Sequence, residues 1–441
     1  MRAAIAIAVA AAGLVGGCKQ QLNPAYCAQY PNDPDCESVN PPPGDSVDAG
    51  PPCMHDSDCT KAGYPVCDTM YSRCVPCTVG DEGACTAVSE ICTPQDVCVT
   101  CLAPNLNCPT GSMCVDDVCV APEDIEYASP TAQSGHACTQ ADPCTLGDAI
   151  SAVANKVGYE IELVSSSADY SDGPYTIGGT TSVLIAPASS LTSAPTISSK
   201  NGPIFTLQSS GKIEIDNVII TGSNDDGVSC KSGTVVLSQD EIAKNGKYGV
   251  EATGGTIDVD RSRIHDNNQG GMRFENTTID VYDNFVYANG NSGTTDGSVD
   301  LEGNTNGKLQ FNTIAYNNAR AGSQHQSAGV GGLKCNNDLG TTLVDARSGI
   351  IAGNDGTPYY DNSFGPVVSC LLNPTYVNSS GNGVHFANAD TRDDVYDLHL
   401  TNQSPKGSIV DVDGACTGDV SVDIDGDMRP STGCDLGADQ Y

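Results

Sequence analysis

The sequence predicts an all-β solenoid, a parallel β-helix, preceded by a disulfide-rich stalk. Three observations predict it. Several lines of residues recur at a strict 22-residue step: Ile220, Ile242, Ile264, Val286; Gly227-Val228, Gly249-Val250, Gly271-Met272; and Ile213, Val235, Ile257, Ile279. A fixed period of this length marks stacked supersecondary units. Within each unit, short alternating apolar stretches are broken by Gly, Asn and Asp, which are strand and turn signals without a helical period. Finally, 14 of the 22 cysteines fall between Cys27 and Cys119, ahead of the repeats.

From the start of the chain, Arg2 supplies a short positive region and Ala3 to Val15 an apolar run. A run of that length fits a signal-peptide core and is too short to span a bilayer. Val15-Gly16-Gly17-Cys18 follows it and resembles a lipobox. The resemblance to bacterial lipoproteins implies a signal peptide over 1–17, with Cys18 acylated and first in the mature chain. It also implies a place at the outer membrane or cell surface, held by lipid; several acyl chains hold a protein to a membrane stably. Residues 18–52 form a tether containing the pair Cys27 and Cys36. They end in the Pro-rich linker Val39-Asn-Pro-Pro-Pro-Gly-Asp-Ser-Val-Asp-Ala-Gly-Pro-Pro52, which is stiff and polar.

Residues 53–122 parse as three four-cysteine units: Cys53, Cys59, Cys67, Cys74; Cys77, Cys85, Cys92, Cys98; and Cys101, Cys108, Cys114, Cys119. The C-x-x-C junctions Cys74/Cys77 and Cys98/Cys101 also fit a zinc-ribbon spacing. Disulfides account for all twelve cysteines, because units of about 25 residues cannot build a core unaided. Such cysteine usage places the chain in an oxidising compartment.

Residues 123–441 are assigned to the solenoid. In Thr256-Ile257-Asp258-Val259-Asp260 the apolar pair faces inward and the carboxylates outward. A second inward column reads Cys230, Ala252, Phe274, Leu301, Cys335. An Asn recurs in register at Asn245, Asn267, Asn289, Asn317 and Asn354, where left-handed turns and rung-to-rung hydrogen bonds suit it. The spacing widens to 28 at Ile314 and 37 at Ile351, and the inserts Asn291 to Gly297 and Arg320 to Gly332 are the loops best placed to meet a partner.

Both ends carry family resemblances. Residues 137–154, ACTQADPCTLGDAISAVA, resemble the "CSLREA" domain that opens many bacterial β-helix proteins, with Gly147 and Asp148 where that motif has Arg-Glu. The stripe Leu146, Ile150, Val153 and Val157 has helical spacing and would cap the open coil. At the far end, Asp423-Ile-Asp-Gly-Asp-Met-Arg-Pro430 followed by Asp435-Leu-Gly-Ala-Asp-Gln-Tyr441 resembles the closing segment of choice-of-anchor Q proteins. The resemblance implies a right-handed, pectate-lyase-like helix. In that family a sorting tail often follows; here the chain ends at Tyr441, so the anchor is expected at the other end.

A formal charge of −35 argues against nucleic acid and anionic headgroups as partners and leaves calcium possible. With no Trp and few aromatics, stacking platforms for sugars are scarce. Parallel β-helices include pectate lyases, polygalacturonases and epimerases, so an enzyme is considered. Asp225-Asp226 resembles the paired acids of polygalacturonases, but the Gly-His-Gly and Arg-Ile-Lys motifs are absent. Asp258 and Asp280 stack about 4.8 Å apart on neighbouring rungs, with Asp260, Asp283, Arg261, Arg263, His265 and Arg273 in the same two turns. Acids with an Arg base could form a calcium-dependent lyase site built on Asp258, Asp280 and Arg273. A solvated face with cross-rung pairs is the favoured reading. Of the remaining cysteines, Cys335 is expected to pair with Cys370, one rung beyond it in the same column, Cys416 with Cys434, and Cys138 with Cys144. Cys230, four rungs from Cys335, is left as a buried thiol.

The sequence thus predicts a non-catalytic surface lipoprotein with a structural, adhesive or matrix-contact role, touching a cell-surface or matrix polysaccharide or protein. The alternative is an extracellular lyase or hydrolase acting on acidic glycans. Mass spectrometry of the mature protein is expected to find Cys18 acylated at the N-terminus; cleavage elsewhere, or an unmodified Cys18, contradicts the lipobox reading.

Overall fold

The computed structural model describes residues 55–59, 66–68, 73–75, 91–92, 98–99, 113–115 and 118–439, the last with breaks at 292, 295, 320–328, 337–341, 362–368, 379–382, 389–396, 411, 413–421, 428 and 431–433. The chain divides into two compact units, Met1–Cys98 and Val99–Tyr441. Cys18, Cys27, Cys36 and Cys416 lie outside the described residues.

Three strand pairs occur in the cysteine-rich region: the antiparallel hairpins Val66–Asp68 with Arg73–Val75 and Met113–Val115 with Val118–Val120, and the pair Ile91–Cys92 with Cys98–Val99. Cys67 is the register partner of Cys74, and Cys114 of Cys119. The third and fourth cysteines of each unit therefore sit on opposed strands. Cys59, Cys67 and Cys119 are disulfide-bonded.

The second unit is a parallel β-solenoid with three faces. The first face contains Tyr248–Ala252, Gly270–Glu275, Val299–Glu302, Val330–Cys335 and Thr357–Asp361. The second contains Thr256–Asp260, Thr278–Tyr282, Asn306–Gln310, Leu343–Asp345 and Cys370–Leu371. Two long strands, Phe205–Asp216 and Val228–Ser238, run across both faces and join them into one sixteen-stranded sheet. The third face has eight strands, from Thr196–Ser198 to Tyr376–Asn378. The 22-residue columns stack as expected: Ile220, Ile242, Ile264, Val286, Ile314 and Ile351 are successive register partners, all buried.

The corners explain the polar punctuation. Gly233 and Gly255 turn the chain from the first face to the second with φ of 88° and 84°. A Cβ at Gly255 would lie 2.5 Å from the carbonyl oxygen of Gly233, so the stacked corner excludes a side chain. At the two other corners, left-handed residues such as Gln239, Lys244, Arg261 and Asp266 precede a polar side chain that bonds to the neighbouring rung. Asn245 Nδ2 donates to Asn267 Oδ1 at 3.0 Å, Asn267 to Asn289 at 3.0 Å, Asn289 to Asn317 at 3.0 Å and Asn317 to Asn354 at 2.9 Å. The same oxygens accept backbone N–H groups of the preceding rung. A second ladder, Asp240, Ser262, Asn284 and Asn312, occupies the other corner. Its mixed residue types hide it in the sequence.

Two sequence expectations are corrected in detail. The capping helix is Leu146–Ala152, with the Thr145 side chain accepting from the Asp148 N–H. Leu146, Ile150 and Val153 are buried, but Val157 is 69% exposed. The helix ends before it, because Asn155 takes a positive φ of 62°. Cys138–Cys144 and Cys335–Cys370 are disulfides, and Cys230 is free and buried. The Cys335–Cys370 pair is right, but not the register behind it. Asp361 occupies the position after Cys335 in its column, whereas Cys370 pairs with Val344 on the second face. The bridge thus joins two faces across the interior, with Cα atoms 6.2 Å apart. Cys434 is also disulfide-bonded.

The coil does not continue to the C-terminus. After Tyr376–Asn378 the chain forms a small antiparallel pair, Phe386–Asn388 with Asp397–Leu400. The closing segment then lies along the outside of the third face. Val384, Leu400, Ile409, Val410, Val412 and Leu436 pack on Phe311, Ile350 and Ala352, while Leu398, Ile424 and Ala438 pack on Phe285, Tyr287 and Ala315.

Replacing Asn267 by Ala would remove the acceptor of the buried Asn245 N–H, one partner of the Asn245 amide, and the side-chain donor to the Ile242 carbonyl and to Asn289 Oδ1. Denaturant unfolding is expected to show a loss of about 3 kcal/mol for Asn267→Ala. The exposed neighbour substitution Asn268→Ala is expected to cost about 0.5 kcal/mol.

Candidate functional site

Outward positions on the first two faces carry the charge clusters. On the second face Asp258 and Asp280 are direct register partners, next to Lys308 and Asp345 on the following rungs. The Asp258 Oδ1 is shielded from solvent and accepts no hydrogen bond. Burial, with Asp280 and Asp260 adding repulsion, pushes the Asp258 carboxyl up to about 7. Asp260 is held by Arg261 at 2.7 Å, and Arg261 also donates to Ser238 at 3.2 Å.

Arg273 is elsewhere. It belongs to the first face, past the Gly254–Gly255 corner from Asp258, and its register partners are Glu251 and Asp300. Its guanidinium donates to Glu251 at 2.9 Å, Glu275 at 3.1 Å and Glu302 at 2.9 Å. Lys334, one rung beyond Asp300, contacts Asp296, Asp300 and Glu302 at 3.3, 3.2 and 3.1 Å. The structure therefore brings Asp258 and Asp280 together but sets Arg273 in a separate network. Residues two strands apart in one turn share a rung without sharing a face. Arg263 and His265 lie on the third face, where His265 stacks on Tyr287 with ring centroids 4.7 Å apart and contacts Glu241 and Asp266. The Asp225-Asp226 pair forms a turn: Asp225 holds Lys247 at 2.6 Å, and Asp226 accepts the Tyr248 N–H at 3.0 Å. Burial pushes Asp226 up to about 7.

The site that sequence reasoning missed is the seat of the closing segment. On the third face the outward residues change character along the coil, from Glu241, Arg263 and His265 to Phe285, Tyr287, Ala315, Ile350 and Ala352. That change from polar to apolar was the available signal that something covers those rungs. The cover is pinned by Arg429. Its Nη2 donates to Asp283 Oδ1 at 2.6 Å and to the Gly437 carbonyl at 2.9 Å, with both side chains of the ion pair buried. The guanidinium also lies over the Phe311 ring, 4.2 Å from its centroid. Ala438 N–H donates to Thr313 Oγ1 at 3.1 Å and Gly437 N–H to the Ser348 carbonyl at 2.8 Å. Asp283, grouped from sequence with the acids of the second face, is thus the anchor of the third.

Residues 203–393 match the family model described as "right handed beta helix region", which gives the solenoid its hand. No curated protein matches the chain. Among solved structures, a pectate lyase, Pel9A, is similar at 14% identity and a TM-score of 0.40, over 71% of this chain and 95% of its own. A likeness of that size says nothing of activity. Among the described residues no helix is long and apolar enough to cross a membrane.

The buried acids set a pH dependence. Burial is the main cause in each of Glu160, Asp226, Asp258 and Asp300, all pushed up to about 7. A folded carboxyl with a raised pKa keeps its proton where the unfolded chain has lost it. Its contribution is therefore full below the ordinary carboxylate range and is lost as pH rises through about 7. Denaturation of the full chain is expected to show greater stability at pH 5 than at pH 8. Asp258→Asn is expected to shrink that difference by about 1–2 kcal/mol, after discounting for partial exposure.

Proposed function

We propose that this protein is a lipid-anchored, extracytoplasmic display protein with a non-catalytic role in adhesion or matrix contact. The lipobox-like Cys18, the Pro-rich tether and the cysteine-rich units support that order of parts: lipid, spacer, stalk, solenoid. The observation that carries the non-catalytic reading is the state of Arg273. A lyase base must be free to take a proton from the substrate, and this guanidinium is spent on Glu251, Glu275 and Glu302. Lys334 is held likewise by three carboxylates. On this reading both networks are cross-rung braces.

One observation favours the second reading, an extracellular lyase or hydrolase of acidic glycans. Asp258 and Asp300 each present a buried carboxylate oxygen without a hydrogen bond, and both carboxyls are raised. Raised carboxyls of this kind serve proton transfer, and calcium would join the acids to a uronate.

The test is to incubate the purified full chain with a panel of acidic polysaccharides, with and without calcium, and to assay for unsaturated uronates and new reducing ends. No turnover is expected. A calcium-dependent activity abolished by Arg273→Ala or Asp280→Ala would replace the display reading with the enzymatic one.

A further inference from the structure

Three separate pieces of the closing segment meet at one histidine. His399 lies on the strand Asp397–Leu400, Asp425 in the turn that begins at Asp423, and Asp439 near the end of the chain. One ligating atom from each lies within 4.8 Å of the other two. The backbone holds the three pieces in place. Asp423 Oδ1 accepts the N–H groups of Asp425 and Asp427 at 3.0 and 2.9 Å, which shapes the turn. Ile424 N–H donates to the Ala438 carbonyl at 2.9 Å, which sets that turn beside Asp439. Asp439 Oδ2 accepts the Leu400 N–H at 2.6 Å, which ties the histidine strand to the chain end.

The histidine is oriented as a ligand would be. Its Nδ1 is hydrogen-bonded to Asp397, and its ring meets Phe285 edge-on, with centroids 5.2 Å apart. A carboxylate on Nδ1 fixes the tautomer and leaves the Nε2 lone pair outward, the usual outer support of a metal-bound imidazole. That Nε2 is shielded from solvent and makes no hydrogen bond. Asp425 Oδ2 is 2.9 Å from it, an ion-pair contact when the ring is protonated. An imidazole nitrogen and two carboxylates from three separate pieces of chain therefore converge on one point.

We propose that His399 Nε2, Asp425 and Asp439 bind one divalent ion of the zinc class. Zinc takes nitrogen and oxygen ligands at about 2.0–2.2 Å, which places ligands about 3.3 Å apart in a tetrahedron. The three ligand atoms lie within 4.8 Å of one another, with His399 Nε2 and Asp425 Oδ2 at 2.9 Å. Calcium is the poorer fit, because it gathers 6–8 oxygen ligands at longer range. Asp439 is buried while Asp425 is exposed, so the fourth position faces solvent and takes water. Bound zinc would staple the histidine strand, the Asp423 turn and the chain end into one piece over Phe285.

The experiment is calorimetric titration of the metal-free full chain with Zn2+, Ca2+ and Mg2+ separately. With 55 acidic residues, weak unspecific binding is expected from each ion, so the variants decide. One tight zinc site is expected, with a raised melting temperature. Asp397→Asn is expected to weaken it by about 10-fold or more, and Asp425→Asn and His399→Ala to abolish it. Zinc affinity unchanged in Asp425→Asn and His399→Ala, no tight site in the wild type, or preference for calcium would overturn the assignment. Should His399→Ala fail to fold, Co2+ titration of the wild type decides. A tetrahedral, nitrogen-ligated absorption spectrum supports the site, and an all-oxygen octahedral one overturns it.

Discussion

Everything in the solenoid depends on satisfying the backbone at its corners. A coil that turns three times in 22 residues cannot keep its sheet hydrogen bonds through each turn, and those turns are buried against neighbouring rungs. Unpaired buried N–H and C=O groups cost as much as lost hydrogen bonds. The two side-chain ladders answer this. Each Asn oxygen accepts both the amide of the preceding ladder residue and that residue's backbone N–H, while its own amide donates to a carbonyl on the rung before. The ladders demand the left-handed corner residues, and the corners in turn set the register that stacks Ile220 to Ile351.

Much of this was legible because stacking imposes identity at a fixed step. The 22-residue columns, the Asn ladder and the inward Cys230–Cys335 column all follow from periodicity alone. What was not legible is what breaks the period. Asp240, Ser262, Asn284 and Asn312 do one job with three residue types, so no repeated letter marks them. Arg273 is grouped with Asp258 because they fall in the same two turns, yet their strands belong to different faces. Cys370 is expected one rung beyond Cys335 in the same column, whereas the widened final turns put Asp361 there. The third-face cover escaped because its pairing partners, Asp283 and Arg429, are 146 residues apart.

The charge distribution follows from the same architecture. Outward columns on a parallel sheet stack like on like at about 4.8 Å, so a chain rich in acids accumulates repulsion along each column. Some rungs relieve it with a cation inserted between acids, as Arg273 and Lys334 do on the first face. Others bury the carboxyl and raise its pKa, as at Asp258. The Asp283–Arg429 pair is a third solution: the Gly437 carbonyl and the Phe311 ring offset the desolvation of Arg429, while burial pushes the Asp283 carboxyl up to about 8 in spite of Arg429.

The flank-bound closing segment also changes how such a molecule can come apart. A bare solenoid is nearly one-dimensional, each turn held only by its neighbours, so it frays from an end and loses turns one after another. Here the last turns are clasped from the side by residues that come after them in the chain. Asp283, Thr313 and Ser348, on successive turns, are all gripped by Arg429 to Ala438. The C-terminal end therefore cannot peel gradually; the clasp must be torn away first, and several turns are then released together. Such a clasp turns a graded unwinding into a barrier-limited event, a matter of lifetime more than of equilibrium.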